Sequence, residues 1–342
     1  MPSVSLYRKY RPGKWSEVIG QEPIVTSLRN SIEGGNISHA YLFAGSRGTG
    51  KTSIARILAK EIGTVPADLY EIDAASNRGI EEIRELREAV KSLPFESKYK
   101  VYIVDEVHML TTPAFNALLK TLEEPPTHVV FVLATTELDK IPDTIKSRCQ
   151  IYAFRRPSEA DITKYLTFVT GEEGYKADAG SLSLISVLSD GAFRDSLTIL
   201  EKVLTSSKNK EIKVRDVEKI TGAPSSILVD QFIEAMLAGD KSKALGVIGE
   251  AMDADTDMHV FIKLLLRSSR GALFIVFAPD LREKVREEVS EAEFKFLEEL
   301  GKRDGVKKLP TLLRILLKAE KEMAYTYISS LPLELAVVEG LT

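Results

Sequence analysis

Cysteine is almost missing: Cys149 is the single one in 342 residues. One thiol can form neither an internal disulfide nor a cysteine-rich zinc cluster, so packing has to hold this fold together. Long hydrophobic runs are missing too. The most apolar stretch, Ala272 to Ala278, is bounded by Gly271 and Pro279 and falls far short of the roughly 20 residues needed to cross a bilayer. No membrane association is expected. Met1 to Arg11 is basic and aromatic, without an apolar core or a small-residue cleavage site, so it does not read as a secretory signal, and the cytoplasm is the expected compartment. A large charge of one sign is likewise lacking. The formal net charge of −4 excludes coating of nucleic acid by bulk phosphate neutralisation, and any DNA contact is expected to be local.

What is present is a chain long enough for two or three domains, 44% hydrophobic and 28% charged. From His39 to Phe154 short β-branched or aromatic runs alternate with helical stretches, the pattern of a parallel sheet covered by helices. The predicted strands are Ala40 to Ala44, Leu69 to Asp73, Val101 to Asp105, Val129 to Thr135 and Ile151 to Phe154. Helices are predicted over Lys51 to Ile62, Gly79 to Leu93 and Pro113 to Glu123, the last with Thr112 as its cap and Pro113 at the first helical position. After Arg156-Pro157 the strand signal stops, and Ser158 to Asp161 has the form of a capping box opening a run of helices that continues to Gly222. Ala223-Pro224-Ser225 breaks the pattern, and from Ser226 onward apolar residues recur at helical spacing. The expected organisation is an α/β domain over 1–157, a small helical domain over 158–222 and an all-helical domain over 223–342.

Gly45-Ser-Arg47-Gly48-Thr49-Gly50-Lys51-Thr52 follows a predicted strand and opens a predicted helix, which is the context a phosphate-binding Walker A loop requires. Glycines let the backbone approach phosphate oxygens closely, and the amides of Gly48, Thr49, Gly50 and Lys51 can point inward at the positive end of the helix. Lys51 would reach the β and γ phosphates, the Thr52 hydroxyl would ligate Mg²⁺, and Ser53 follows in the same first turn. Val101 to Val104 is an apolar strand ending in Asp105 and Glu106. By itself an Asp-Glu pair after a strand is ordinary loop chemistry; with a Walker A loop upstream it reads as Walker B, Asp105 holding Mg²⁺ and Glu106 orienting the attacking water. ATP and Mg²⁺ are therefore the expected ligands.

Several further segments are more particular. They are Tyr7 to Pro12 with Val18-Ile19-Gly20-Gln21, His39 to Phe43, Glu71 to Ser76, Asp105 to Leu110, Phe115 to Pro126, Leu133 to Thr136, Ser147-Arg148-Cys149 and Arg194-Asp195. On these segments the chain resembles, over nearly its whole length, the tau/gamma family of bacterial DNA polymerase III clamp-loader subunits, which are AAA+ ATPases. The resemblance implies an AAA+ sheet, a helical lid and a helical collar that forms a ring with other clamp-loader subunits. It implies ATP-driven loading of a sliding clamp onto primer–template DNA. Thr136 would be a γ-phosphate sensor and Arg194 a second sensor reaching from the lid, although a lone strand-end Thr or surface Arg carries no such signal. Arg148 would be an arginine finger inserted into the neighbouring subunit's ATP site. Tyr7, Arg11, Pro12, Val18 and Ile19 would surround the adenine, and Arg78 would meet a DNA phosphate.

The sequence departs from that family in two places. Many relatives insert a four-cysteine zinc module where this chain has only Gly63 to Asp68, so no zinc is expected. The chain also stops soon after the expected collar, a gamma-like length. Two other functions stay in view. Asp105-Glu-Val-His108 formally satisfies the DExH pattern of a helicase or branch-migration motor, and a ring subunit can also be a non-hydrolysing scaffold. The helical lid, the Ser-Arg-Cys segment and the lack of a second motor core weigh against the first, and the complete Walker A loop with Glu106 weighs against the second.

Overall fold

The computed structural model describes residues 4–207, 209–289 and 291–340. Contacts divide the chain into two units, one of Met1–Tyr165 with Asp190–Thr198 and the other of Leu166–Ser189 with Ile199–Thr342.

The first unit runs α1 (Leu6–Lys9), α2 (Glu22–Glu33), β1 (Ala40–Ala44), α3 (Lys51–Glu61), β2 (Leu69–Asp73), α4 (Ile80–Val90), β3 (Lys100–Asp105), α5 (Thr112–Glu123), β4 (Val129–Thr135), α6 (Asp143–Lys146) and β5 (Gln150–Ala153). The five strands form one parallel sheet in the order β2-β3-β4-β1-β5. β1, β3 and β4 are continuous apolar runs because helices cover both faces of the sheet. Successive side chains go to opposite faces. Leu42, Tyr102, Val104, Phe131 and Leu133 pack with Ile83, Leu86, Phe115 and Leu118. Tyr41, Phe43, Val101, Ile103, Val130 and Val132 pack with Ile24, Leu28, Ile54 and Leu58. Each such burial contributes on the order of 1.5–3 kcal/mol.

One local expectation is adjusted. The cap of α5 is Thr111, whose hydroxyl accepts the Ala114 amide, so Thr112 is already helical and Pro113 is one position further in. Adjacent threonines are equivalent in sequence; the extended backbone of Thr111 (φ −68°, ψ 156°) decides between them. In the short segment Gly63 to Asp68, the buried Asp68 carboxylate accepts the amides of Phe95, Glu96 and Ser97 at 2.6–3.0 Å. Burial alone would raise its pKa, yet these donors hold it well below the usual carboxylate range.

α7 (Glu159–Glu172) opens with the reciprocal Ser158–Asp161 capping bonds, both 3.1 Å. The boundaries between the units fall within α7, between Ser189 and Asp190, and within α9 (Phe193–Ser206). The second unit also holds α8 (Ala179–Leu188) and α10 (Val214–Thr221). Here the expectation that strands end at Pro157 is corrected: β6 (Lys176–Ala177) and β7 (Glu211–Ile212) form a parallel pair. Two residues are too few for alternation to be read from sequence.

From Ser226 the unit is helical throughout: α11 (Ser226–Ala238), α12 (Lys241–Asp253), α13 (Met258–Phe277), α14 (Arg282–Glu288), α15 (Glu291–Gly301), α16 (Leu309–Met323) and α17 (Leu331–Glu339). They share one apolar core that includes Phe232, Phe261, Leu265, Leu312, Leu316 and Leu333. The α11–α12 turn needs Gly239, at φ +77°, so that the Asp240 amide can return to Ala235 O before Asp240 caps α12. Among the described residues no helix is long and apolar enough to cross a membrane.

Candidate functional site

β1 delivers Gly45 to the carboxyl edge of the sheet, and the loop that follows turns tightly into α3. A Cβ on Gly45 would lie 2.7 Å from Phe154 O, and one on Gly48, at φ +76°, would lie 2.7 Å from Ala192 Cβ. Neither position admits a side chain without movement. Gly50, at φ +99°, starts α3 in a left-handed conformation with nothing within 4 Å of where its Cβ would be. The first-turn amides of α3 have no intrahelical acceptors and carry the positive end of the helix dipole, which makes this a ready anion cradle. Lys51 is only 6% exposed. Its Nζ donates to Gly45 O at 2.7 Å and Ser46 O at 2.9 Å. Burial lowers its pKa, opposed by the charges of Glu106 and Asp105.

The sheet order brings the other chemistry to the same edge. β4 lies between β1 and β3, with Ala44 level with Thr135 and Val104 level with Leu133. Thr52 Oγ1 donates to Asp105 Oδ2 at 2.8 Å, so the two expected Mg²⁺ ligands, 53 residues apart in sequence, touch. Glu106 has φ 50° and ψ 43°, a left-handed conformation that costs a non-glycine residue about 1–2 kcal/mol and is concentrated at functional sites. Thr136 Oγ1 donates to Glu106 Oε2 at 3.1 Å.

A cleft of about 1040 Å³, open to solvent, is lined by Tyr7, Arg11, Pro12, Val18, Ile19, Arg47, Gly48, Thr49, Gly50, Lys51, Thr52, Ser53, Asp105, Glu106 and Arg194. The Arg194 guanidinium stacks over the Tyr7 ring at 4.8 Å from its centroid. Burial, with the charges of Arg56 and Arg194, holds the Arg11 guanidinium below its ordinary pKa, against the opposing charge of Glu71. Gln21 ties the N-terminal segment down: its Nε2 donates to Arg155 O at 2.7 Å and its Oε1 accepts the Arg155 amide at 3.2 Å.

Sequence reasoning missed six lining residues, Tyr10, Glu17, Ile54, Tyr165, Phe193 and Leu197. Tyr165 packs edge-on to Phe193 at 5.2 Å, and its hydroxyl donates to Tyr10 O. The adjacency of Phe193 to Arg194 and of Tyr10 to Arg11 was the available signal. Four expected residues do not line the cleft. Gly45 lies behind it with its carbonyl on Lys51, and Thr136 reaches it through Glu106. Arg148 is 34% exposed, bonded to Glu123 Oε1 at 2.8 Å and Thr144 O at 2.9 Å. Arg78 is exposed, just before the α4 N-cap Gly79.

Comparisons with known proteins identify the family. Two family profiles match: "DNA polymerase III, delta subunit" over residues 66–158 and "DNA polymerase III subunits gamma and tau domain III" over residues 212–339. The chain is 39% identical to DNA polymerase III subunit tau of Bacillus subtilis, covering 98% of this chain and 62% of that one. It is 33% identical to DNA polymerase III subunit gamma of Buchnera aphidicola (subsp. Schizaphis graminum), covering 98% of both. The chain belongs to the DNA polymerase III gamma/tau family. This gamma/tau chain spans 62% of the Bacillus relative and 52% of the Mycobacterium tuberculosis gamma/tau subunit, to which it is 35% identical. Its fold, an AAA+ sheet followed by helical segments, is also that of the Thermotoga maritima RuvB Holliday junction branch migration motor. That structure aligns with a TM-score of 0.55 at 20% identity, over 76% of this chain and 91% of that one.

Proposed function

We propose that the chain is an ATP-binding and ATP-hydrolysing motor subunit of a bacterial DNA polymerase III clamp loader, loading a sliding clamp onto primer–template DNA in the cytoplasm. The observation that carries the proposal is the meeting of Lys51, Thr52, Asp105 and Glu106 at the N-terminus of α3 in a gamma/tau-family chain.

In this reading the α3 amides and Lys51 bind the phosphates, Lys51 exchanging the carbonyls of Gly45 and Ser46 for phosphate oxygens. Tyr7, Arg11, Pro12, Val18 and Ile19 enclose the base, and Arg47 and Arg194 add positive charge. A hydroxyl and a carboxylate in contact, Thr52 and Asp105, are hard oxygen donors of the kind Mg²⁺ takes. When bound, Mg²⁺ would neutralise charge on the β and γ phosphate oxygens. Glu106, its carboxylate held by Thr136, orients the attacking water and takes up its proton in an in-line displacement. Arg148 serves a neighbouring subunit's site in trans, which makes hydrolysis depend on a hetero-oligomeric ring. Its present partner, Glu123, keeps the guanidinium paired at the surface until a neighbour's triphosphate replaces it. Arg78 is the proposed DNA-phosphate contact. Residues 1–157, 158–222 and 223–342 are the proposed motor, lid and collar, and no zinc module takes part.

The deciding experiment is steady-state ATP hydrolysis by the reconstituted assembly, with and without clamp plus primed DNA. Stimulation by the two together is expected. ATP-driven strand displacement without a clamp requirement would favour a helicase, and equal rates in wild type and Glu106→Gln would leave only a scaffold.

A further inference from the structure

The His108 side chain is only 6% exposed, and both ring nitrogens have partners. Nε2 lies 3.2 Å from Glu137 Oε1. Nδ1 lies 3.1 Å from Thr135 Oγ1 and 3.5 Å from Glu106 Oε2. The partners are themselves fixed. Glu137 receives Lys140 Nζ at 2.9–3.0 Å, and Thr135 Oγ1 accepts the Glu137 amide at 3.0 Å. The Met109 amide returns to Glu106 O at 2.8 Å, so the 3-10 turn Val107–Met109 fixes the distance between the histidine and Glu106. Glu106 Oε2, finally, is the atom that receives the Thr136 hydroxyl. One carboxylate oxygen thus faces two competing partners, Thr136 in contact and His108 just beyond contact.

We propose that His108 is a positioning residue for Glu106, a strut that, with a proton on each ring nitrogen, donates from Nε2 to Glu137 and from Nδ1 to the Glu106 carboxylate when Thr136 turns to the γ phosphate. The inference rests on the reading of Glu106 as the group that activates water. Without such a strut, losing the Thr136 bond would free the carboxylate to rotate, and a base out of line with the attacking water contributes little. Closing from 3.5 Å to an ordinary hydrogen bond needs only a small rotation about the Glu106 side-chain torsions, because the backbone is locked by the turn. The brace also links the loop after β4 to the loop after β3, so that sensing of the terminal phosphate and alignment of the base become one event. An ordinary satisfied core histidine would stabilise the fold but leave catalysis indifferent to which ring nitrogen is kept.

The two nitrogens can be tested separately, because an Asn amide reaches about as far as Nδ1 and a Gln amide about as far as Nε2. In the clamp- and DNA-stimulated assay, His108→Ala is expected to lower kcat about 10- to 100-fold, the usual scale for residues that orient a reacting group. KM for ATP should stay within about twofold, since ground-state binding is untouched. His108→Asn should recover most of the loss and His108→Gln little of it, with similar melting temperatures for the two. Glu137→Ala should lower kcat in the same direction but less. Wild-type and Glu106→Gln controls separate the two claims: if wild type hydrolyses ATP and Glu106→Gln does not, the reading of the site stands. In that case a His108→Ala kcat at the wild-type level, or an Asn variant no better than Gln, overturns the strut. A wild type without ATPase overturns both.

Discussion

Two hollows among the described residues, one in each unit, are opposite in charge. The cleft of the first unit gathers Arg11, Arg47, Lys51 and Arg194 beside Glu17, Asp105 and Glu106. Burial there pushes cationic groups down, Lys51 and Arg11 alike. The cavity of the second unit is lined by Glu218, Asp230 and Glu293 with Arg267, and Arg267 is paired with Glu293 at 2.7 Å. Burial there, with the charges of Glu293 and Glu234, pushes Asp230 up to about 7, and burial raises Glu218. What distinguishes a triphosphate site is a helix N-terminus in a glycine loop with cations gathered around it.

The comparison can be broken most forcefully at Arg148. If the first cleft is completed only by a neighbour, Arg148→Ala should lower turnover of the assembly by about 10³–10⁵-fold, with nucleotide affinity of the isolated chain unchanged. A large affinity loss in the isolated chain, measured by titration with a fluorescent nucleotide, would contradict the trans role. Next, Lys51→Ala should cost about 2–5 kcal/mol of ATP binding, the scale for truncating one partner of a buried charged hydrogen bond. Equilibrium titration should then place the midpoint about 30-fold or more above that of wild type. Gly48→Ala should follow at about 1–3 kcal/mol of stability, from the left-handed backbone and the contact with Ala192 Cβ. Thermal melting with and without ATP reads both its stability and its affinity.

The smallest effect belongs to the second cavity and has the opposite pH signature. The folded state holds the Asp230 proton more tightly than the unfolded state, so between about 4 and 7 it binds more protons and stability falls as pH rises. Below that window the term vanishes; above it the full cost of a buried carboxylate is present. Asp230→Asn should raise stability at pH 8 by about 1–2 kcal/mol, with solvent screening allowed for, and change it little at pH 4. Denaturant melts at the two pH values check this. An equal shift at both would place the carboxylate in a solvated setting.

Legibility in sequence followed the range of the interactions involved. β1 and β4 have the bounds expected, because a strand buried on both faces must be an unbroken apolar run, and the half-exposed edge strand β2 was bounded by the short Gly63–Asp68 segment before it. Thr111 against Thr112 could not be decided, since only backbone dihedrals separate two adjacent caps. β6 and β7 carried no signal because each is two residues long and exists only through the other. In the site, the glycine loop and the acidic strand end were readable as contiguous motifs. Tyr165 and Leu197 were not, since they arrive from helices more than a hundred residues beyond the glycine loop and look like ordinary helix positions.

By itself the sequence determined the parts of this protein whose chemistry is local: a glycine loop that only small residues can form, a lysine and a threonine in the next helical turn, and an acidic pair at a strand end. Tertiary structure alone decided which of these parts touch. Thr52 meets Asp105, Thr136 meets Glu106 and His108 braces against Glu137 because β4 is inserted between β1 and β3. That order is set by packing across the whole sheet, a sum of long-range contacts that no single stretch of residues encodes.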